Sequence, residues 1–116
     1  MLHNPKQPFQ IPRDYVSPTQ EARRLRLEYN RLQRRLTTLA GRIGEEVESD
    51  ALWSRIDRVA RDLGAIRADS VHAVESKLKV ALDLMGDGVD EISHRLLASA
   101  LSDLHFMALL SDPRVN

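Results

Sequence analysis

The sequence of 116 residues contains no cysteine, few aromatic residues and no long apolar run. Without cysteine it can form neither disulfide bridges nor thiolate metal sites, and it has no thiol nucleophile. No apolar segment approaches the ~20 residues that an α-helix needs to span a bilayer. The N-terminal residues lack the charged start and the apolar stretch of a signal peptide. These absences predict a soluble, cytoplasmic, single-domain protein that does not enter the membrane.

Charge is distributed unevenly along the chain, although the formal net charge is zero. Residues 1–44 hold nine basic and three acidic residues, a net charge of +6, whereas residues 45–116 hold eight basic and fourteen acidic residues, a net charge of −6. This asymmetry has two interpretations. Either the basic part packs against acidic helices of the same chain or of a second copy, or it offers a basic surface to nucleic acid or to an acidic protein.

Residues 1–17 predict an extended, proline-rich N-terminal arm, because Pro5, Pro8 and Pro12 disfavour helix there. The arm is either a frayed terminus or a strap that packs on its own domain or on a partner. In the second case the strap would pack Phe9, Ile11 and Tyr15 against that surface.

The clearest pattern predicts a helix over residues 18–43. Ser17 is a suitable N-cap, Pro18 suits the first helical position, and Gln20 has the spacing of a capping box. Apolar side chains then alternate at steps of three and four, the heptad spacing of coiled coils: Ala22, Leu25, Tyr29, Leu32, Leu36, Leu39 and Ile43. We refer to this set as the seam. We expect it to bind a protein partner, with a homodimer favoured, through Leu25, Tyr29, Leu32, Leu36 and Leu39.

The same helix carries a basic face, which we define as Arg23, Arg24, Arg31, Arg34 and Arg35. Guanidinium groups bind phosphates and carboxylates in a bidentate manner, so this face is a candidate site for a protein partner or for nucleic acid. The basic residues overlap the seam instead of preceding it, and no helix-turn-helix pattern is present. We therefore expect contact with the phosphate backbone and no reading of base sequence.

Three further helices are expected, over residues 51–68, 71–85 and 89–110. The acidic segment 45–50 is expected to be a turn, with Ser49 or Asp50 capping the second helix. Ser70 can cap the third helix, although one bent helix through the second and third segments is also possible. We expect the fourth helix to be the most buried. The expected apolar stripe of the second helix is Leu52, Ile56, Val59, Leu63 and Ile66. That of the third helix is Val71, Val74, Leu78, Ala81, Leu82 and Met85. That of the fourth helix is Val89, Ile92, Leu96, Leu97, Ala100, Leu101, Leu104, Met107 and Ala108.

These patterns predict an all-α fold over residues 18–112. The long heptad helix pairs antiparallel with the second helix, because the connection is short, and two further helices complete a small bundle.

No motif indicates catalysis or a cofactor. Glu91 and His94 have the Glu-x-x-His spacing of di-iron bundles, but such a site needs a second motif, and His72 with Glu75 is the only reversed candidate. Glu91-x-x-His94-Arg95 is also similar to the phospho-acceptor helix of histidine kinases, without the asparagines that follow there. The sequence has no nucleophile elbow and no phosphate-binding loop. We predict a protein that is not an enzyme and binds neither cofactor nor metal.

Several segments together resemble a pattern in small uncharacterised helical proteins of alphaproteobacteria and their mobile elements. The segments are ALWSRID (51–57), SVHAVESKLKVAL (70–82), Gly86-Asp87 and RLLASALSDL (95–104). The resemblance implies a cytoplasmic bacterial protein linked to mobile elements, and it implies no activity and no site residue.

The sequence thus predicts a non-enzymatic helical interaction or adaptor protein that associates with itself through the first helix. The alternative is a nucleic-acid-associated protein, or a regulator or inhibitor of a nucleic-acid machine, that uses the basic face.

Overall fold

The computed structural model describes residues 15–42 and 44–111, and every regular element within them is an α-helix. The helices are α1 (Pro18–Leu39), α2 (Glu45–Ala65), α3 (Val71–Gly86) and α4 (Asp90–Ser111). The prediction of an all-α four-helix bundle is confirmed. The predicted arm lies outside the described residues except for positions 15–17.

The start of α1 is as predicted, and its end comes earlier. The Ser17 hydroxyl accepts a hydrogen bond from the Gln20 amide (3.1 Å), and the Gln20 side chain accepts one from the Ser17 amide (3.1 Å), which completes the capping box. The helix ends at Leu39 instead of residue 43, because Gly41 adopts a left-handed conformation with φ of +84°. Glycine adopts this conformation without the steric cost that other residues meet.

The acidic segment 45–50 is the beginning of α2, so the prediction of a turn there is wrong. The N-cap is Gly44, with φ of +77°, and Ser49 and Asp50 lie inside the helix. Glu45, Glu46 and Glu48 fall in the first turn, where carboxylates interact favourably with the partial positive charge of the helix N-terminus.

The second and third predicted helices are separate. α2 ends at Ala65, three residues earlier than predicted, because Ile66 is extended (ψ of 131°). Ser70 caps α3 as predicted, since its hydroxyl accepts a hydrogen bond from the Ala73 amide (3.2 Å). α4 begins and ends one residue later than predicted.

The four helices form two antiparallel pairs. Ion pairs from Arg35 to Glu48 (2.8 Å) and from Glu28 to Arg55 (3.2 Å) set the antiparallel register of α1 and α2, because the later residue of α1 pairs with the earlier residue of α2. α3 and α4 form the second pair, and the pairs stack with α1 on α3 and α2 on α4. The outer surfaces of the α1–α2 pair and of the α3–α4 pair therefore lie on opposite sides of the bundle.

The core confirms the expected faces of α1 and α2 and corrects those of α3 and α4. The stripes of α1 and α2 are buried as predicted, apart from Leu36 and Ile66, which are partly buried, and Ile43, whose side chain is not described. On α3 the prediction is wrong for Val71, Leu82 and Met85, which are exposed. Val74 and Ala81 are buried as predicted, and the rest of the buried face of α3 is formed by Ala73, Ser76, Lys77, Val80 and Leu84.

α4 is not the most buried helix. Its core positions are Ile92, Ser93, Leu96, Ala100 and Asp103, and most of its last two turns are exposed. The broad apolar face expected for α4 is therefore two stripes, of which one lies in the core and the other on the surface.

Candidate interaction surfaces

The seam of α1 is used inside the chain. Leu25, Tyr29, Leu32 and Leu39 are each at most 4% exposed, and Leu36 packs against the same core. The neighbours that cover them are α2 and α3. The five residues expected to bind a partner thus form the centre of one bundle, and a partner could reach them only if the bundle opened.

Tyr29 shows how firmly the seam is tied to α3. Its hydroxyl donates a hydrogen bond to Asp83 (2.7 Å) and accepts one from the Gln33 amide (2.8 Å), which also donates to Asp87 (3.0 Å). Burial and the neighbouring Asp83 carboxylate raise the pKa of the Tyr29 phenol well above its usual value. The phenol is therefore a neutral donor throughout the physiological pH range.

The basic face lies on the exposed side of α1, and its five arginines have different partners. Arg24 pairs with Glu21 (2.7 Å), Arg31 with Glu28 (2.6 Å) and Arg35 with Glu48. Arg23 and Arg34 form no ion pair within the described residues. Part of the positive charge of this face is therefore balanced by the chain itself, and part is not.

An open groove between α1 and α2 is lined by Arg31, Arg34 and Arg35 of the basic face and by Arg55 of α2. The groove has a volume of about 700 Å³. We call it the arginine groove, and its residues are Arg31, Leu32, Arg34, Arg35, Thr38, Glu48, Ala51, Leu52 and Arg55. Arg23 instead lies beside His72 and Glu75 in a separate depression between α1 and α3.

Two carboxylates orient the guanidinium groups of the arginine groove. Glu28 accepts hydrogen bonds from both Arg31 and Arg55, and Glu48 accepts one from Arg35. The hydrogen bonds from Arg31 lower the pKa of Glu28, so this carboxylate stays ionised in mildly acidic solution. Four arginines beside two glutamates leave the groove with a local net charge of +2.

A second exposed surface is apolar and lies on the opposite side of the bundle. We define this outer stripe as Val71, Leu78, Leu82 and Met85 of α3 with Leu97, Leu101, Leu104 and Ala108 of α4. The spacings of seven, four and three on α3, and of four, three and four on α4, place each set on one helix face. Leu78 and Leu97 are partly buried, and the others are exposed.

The two halves of the outer stripe lie side by side. The other flank of α3 faces α1, as the Tyr29–Asp83 hydrogen bond shows, and the other flank of α4 faces α2, where Ser99 donates to the Gly64 carbonyl (2.7 Å). The remaining flanks of the antiparallel pair therefore adjoin each other. Exposed apolar surface on this scale marks an interaction site more often than a scattered leucine does.

A buried ion pair anchors the helices that carry the outer stripe. Lys77 of α3 is fully buried, and its ammonium group donates to the Asp103 carboxylate (2.5 Å), to the Ser99 hydroxyl (2.8 Å) and to the Ile66 carbonyl. All three ammonium hydrogens thus have acceptors. The Ile66 carbonyl follows the last turn of α2, so Lys77 also supplies the cation that a helix C-terminus favours.

Sequence reasoning missed this pair, although a signal was present. Lys77 follows Val74 by three residues and precedes Ala81 by four, and Asp103 follows Ala100 by three. Each charge therefore falls within the register of an apolar stripe, and two opposite charges at core positions of different helices are a cue to a buried ion pair.

The histidines that drew attention in the sequence do not form a metal centre in the described residues. His72 and His94 are exposed, and Glu91 pairs with Arg95 (3.0 Å) instead of facing His94 as a co-ligand. Nowhere in residues 15–42 and 44–111 are three or more histidine and carboxylate side chains grouped so that they could hold a metal ion.

Comparisons with protein-family models, curated proteins and solved structures found no match to this chain. None of the helices within the described residues combines the length and the apolar character needed to cross a membrane.

Proposed function

We propose that this chain is a cytoplasmic, non-enzymatic helical interaction protein that forms a homodimer through the outer stripe of α3 and α4. The observation that carries the proposal is the placement of exposed apolar side chains. Val71, Leu82, Met85, Leu101 and Leu104 are between 42% and 70% exposed, and all belong to this one surface. The other exposed large apolar side chains of the described residues are scattered over three places: Tyr15 and Val16 before α1, Leu27 and Val47 on α1 and α2, and Phe106, Leu109 and Leu110 at the end of α4.

The magnitude of the available burial supports a stable pair of copies. The exposed fractions of these five side chains add up to roughly three whole side chains per copy. At ~1.5–3 kcal/mol for each fully buried side chain, burial on both copies contributes about 9–18 kcal/mol. Association costs about 4–15 kcal/mol in lost freedom of motion. A micromolar dimer needs a net gain of about 8 kcal/mol, which burial near 18 kcal/mol supplies when association costs about 10 kcal/mol or less.

A second copy is the occupant that suits this surface best. A two-fold interface brings the same patch of each molecule together, so an apolar stripe on one copy meets an apolar stripe on the other. Two antiparallel α3–α4 pairs can then pack as a second four-helix core, since their side chains have the three-and-four spacing of such packing. We therefore propose the dimer interface on α3 and α4 and not on α1, because the seam of α1 is already covered by α2 and α3.

The test is the mass in solution measured by light scattering. We expect the wild-type protein to have a mass near twice the 13.2 kDa of the chain. Leu101→Glu places a charge from each copy in an apolar interface and should return the mass to that of one chain, with helical content unchanged because Leu101 is exposed. Leu27→Glu is the matched control, since Leu27 is 51% exposed on α1. A monomeric wild-type protein, or a dimer lost in Leu27→Glu and kept in Leu101→Glu, would contradict the proposal.

A further inference from the structure

The arginine groove contains more basic groups than the chain neutralises. Arg31, Arg35 and Arg55 share the two carboxylates of Glu28 and Glu48, and Arg34 has no ion pair within the described residues. A salt bridge between exposed side chains contributes little energy, so these pairs can be rearranged around an incoming anion at small cost. The glutamates meanwhile hold the guanidinium groups beside the groove.

The floor of the groove distinguishes between two kinds of anionic partner. Leu32 and Leu52 line it, but they are only 2% and 6% exposed, so neither offers an apolar anchor. Protein partners usually bind through a buried apolar or aromatic centre with a polar rim. A nucleic acid backbone needs only positive charge and N–H donors, and these are the groups that the groove presents.

The spacing of the arginines suits a run of phosphates. Arg31, Arg34 and Arg35 lie within one turn or so of α1, about 6 Å along the axis, and Arg55 faces them from α2. Guanidinium groups on both walls can therefore contact successive phosphates of a strand lying in the groove. Bidentate hydrogen bonds from arginine to phosphate oxygens are among the stronger polar contacts available to a protein.

From these observations we infer that the arginine groove binds the phosphodiester backbone of a nucleic acid, without reading its base sequence. The groove lies on the opposite side of the bundle from the outer stripe. Occupation of one surface leaves the other free, so the inference stands independently of the proposed homodimer.

The test is fluorescence anisotropy with a labelled oligothymidylate, its RNA equivalent and a DNA duplex, at several salt concentrations. If about three phosphates are neutralised, the affinity for the single strand should fall with a slope of about −2 in log affinity against log salt. We expect Arg34→Gln combined with Arg55→Gln to weaken binding at low salt at least about tenfold and to reduce that slope by about 1.4. The three probes show whether single strands or duplexes are preferred.

The matched control is Arg23→Gln combined with Arg95→Gln, which removes the same charge from exposed positions outside the groove. This control should change the affinity less than about threefold. Equal weakening by both double variants, or no binding of any of the three probes by the wild-type protein at low salt, would overturn the inference. The inference would also be overturned if polyglutamate displaced the oligonucleotide at a lower concentration of negative charges than polyphosphate does. That result would indicate an acidic protein partner.

Light scattering on the same variants should show an unchanged mass, which separates this result from the test of the homodimer.

Discussion

Replacing Lys77 by methionine should destabilise the bundle more than any exposed substitution of comparable size. Methionine retains the unbranched shape of the side chain and removes the ammonium group. The Asp103 carboxylate, with a side chain only 5% exposed, then loses its counter-charge, and the Ile66 carbonyl loses a donor. The change therefore leaves a buried anion without a partner while the apolar packing is nearly preserved.

The expected magnitude follows from that unpaired charge. Breaking a buried ion pair from one side costs about 3–5 kcal/mol in free energy of unfolding. Replacing both partners by apolar residues is often close to neutral. Lys77→Met with Asp103→Leu should therefore cost at least about 3 kcal/mol less than the sum of the two single substitutions, since each single variant buries one uncompensated charge.

Urea unfolding followed by circular dichroism at 25 °C measures these differences. The matched control is Lys79→Met, because Lys79 is exposed and its contact with Glu75 is long (3.6 Å), so its loss should cost less than about 0.5 kcal/mol. A cost below about 1 kcal/mol for Lys77→Met would refute the reasoning. Strict additivity in the double variant would also refute it, because independent effects imply that the two charges do not compensate each other.

Two further outcomes concern ionisable residues of α1. Because the pKa of Glu28 is lowered, its pairing with Arg31 stabilises the fold at neutral pH, and this stabilisation is lost as the pH falls through the lowered pKa. Urea unfolding should show Glu28→Gln to be less stable than wild type by about 0.3–0.5 kcal/mol at pH 7, and equally stable once the pH is below the lowered pKa of Glu28. Anisotropy should show tighter oligonucleotide binding by the variant. A stability difference that persists in strong acid would contradict the assignment. Tyr29→Phe should lower the free energy of unfolding by about 1 kcal/mol at pH 8, because the hydrogen bonds of the phenol are lost. Because the pKa of Tyr29 is raised in the folded state, the free energy of unfolding of the wild-type protein should fall above about pH 10 by about 1.4 kcal/mol per pH unit relative to Tyr29→Phe. Parallel pH curves for the two proteins would argue against a buried phenol.

The beginning of α1 and the seam could be predicted from the sequence because they depend on local chemistry. Ser17, Pro18 and Gln20 act within one turn, and the seam repeats without a polar interruption. The start of α2 could not be located in this way. The polarity of its carboxylates indicates a turn, whereas they form the first turn of a helix capped by Gly44 and interact favourably with the helix N-terminus.

The faces of α3 and α4 were harder to predict, because each helix has two apolar stripes. Hydrophobicity alone favoured Leu82 and Met85, which are apolar, over Lys77, which is charged. Lys77 lies in the core because Asp103 compensates its charge from another helix, and the spacing of residues along one helix cannot reveal a partner on the next. Once Lys77 takes a core position, Val71 and Leu82 turn outwards and become part of the exposed outer stripe.

The central proposal, a homodimer formed through the outer stripe, is tested most directly by distances between spin labels in the two copies. The chain has no cysteine, so a single introduced cysteine carries the only label. His94→Cys places the label beside the outer stripe on α4, and Ser54→Cys places it on the exposed surface of α2, in the other helix pair. Dimerisation through α3 and α4 adds one layer of helices per copy between the Ser54 labels, so their distance should exceed that between the His94 labels by about 20 Å. No dipolar coupling at either site, or a shorter distance at Ser54→Cys than at His94→Cys, would contradict the account.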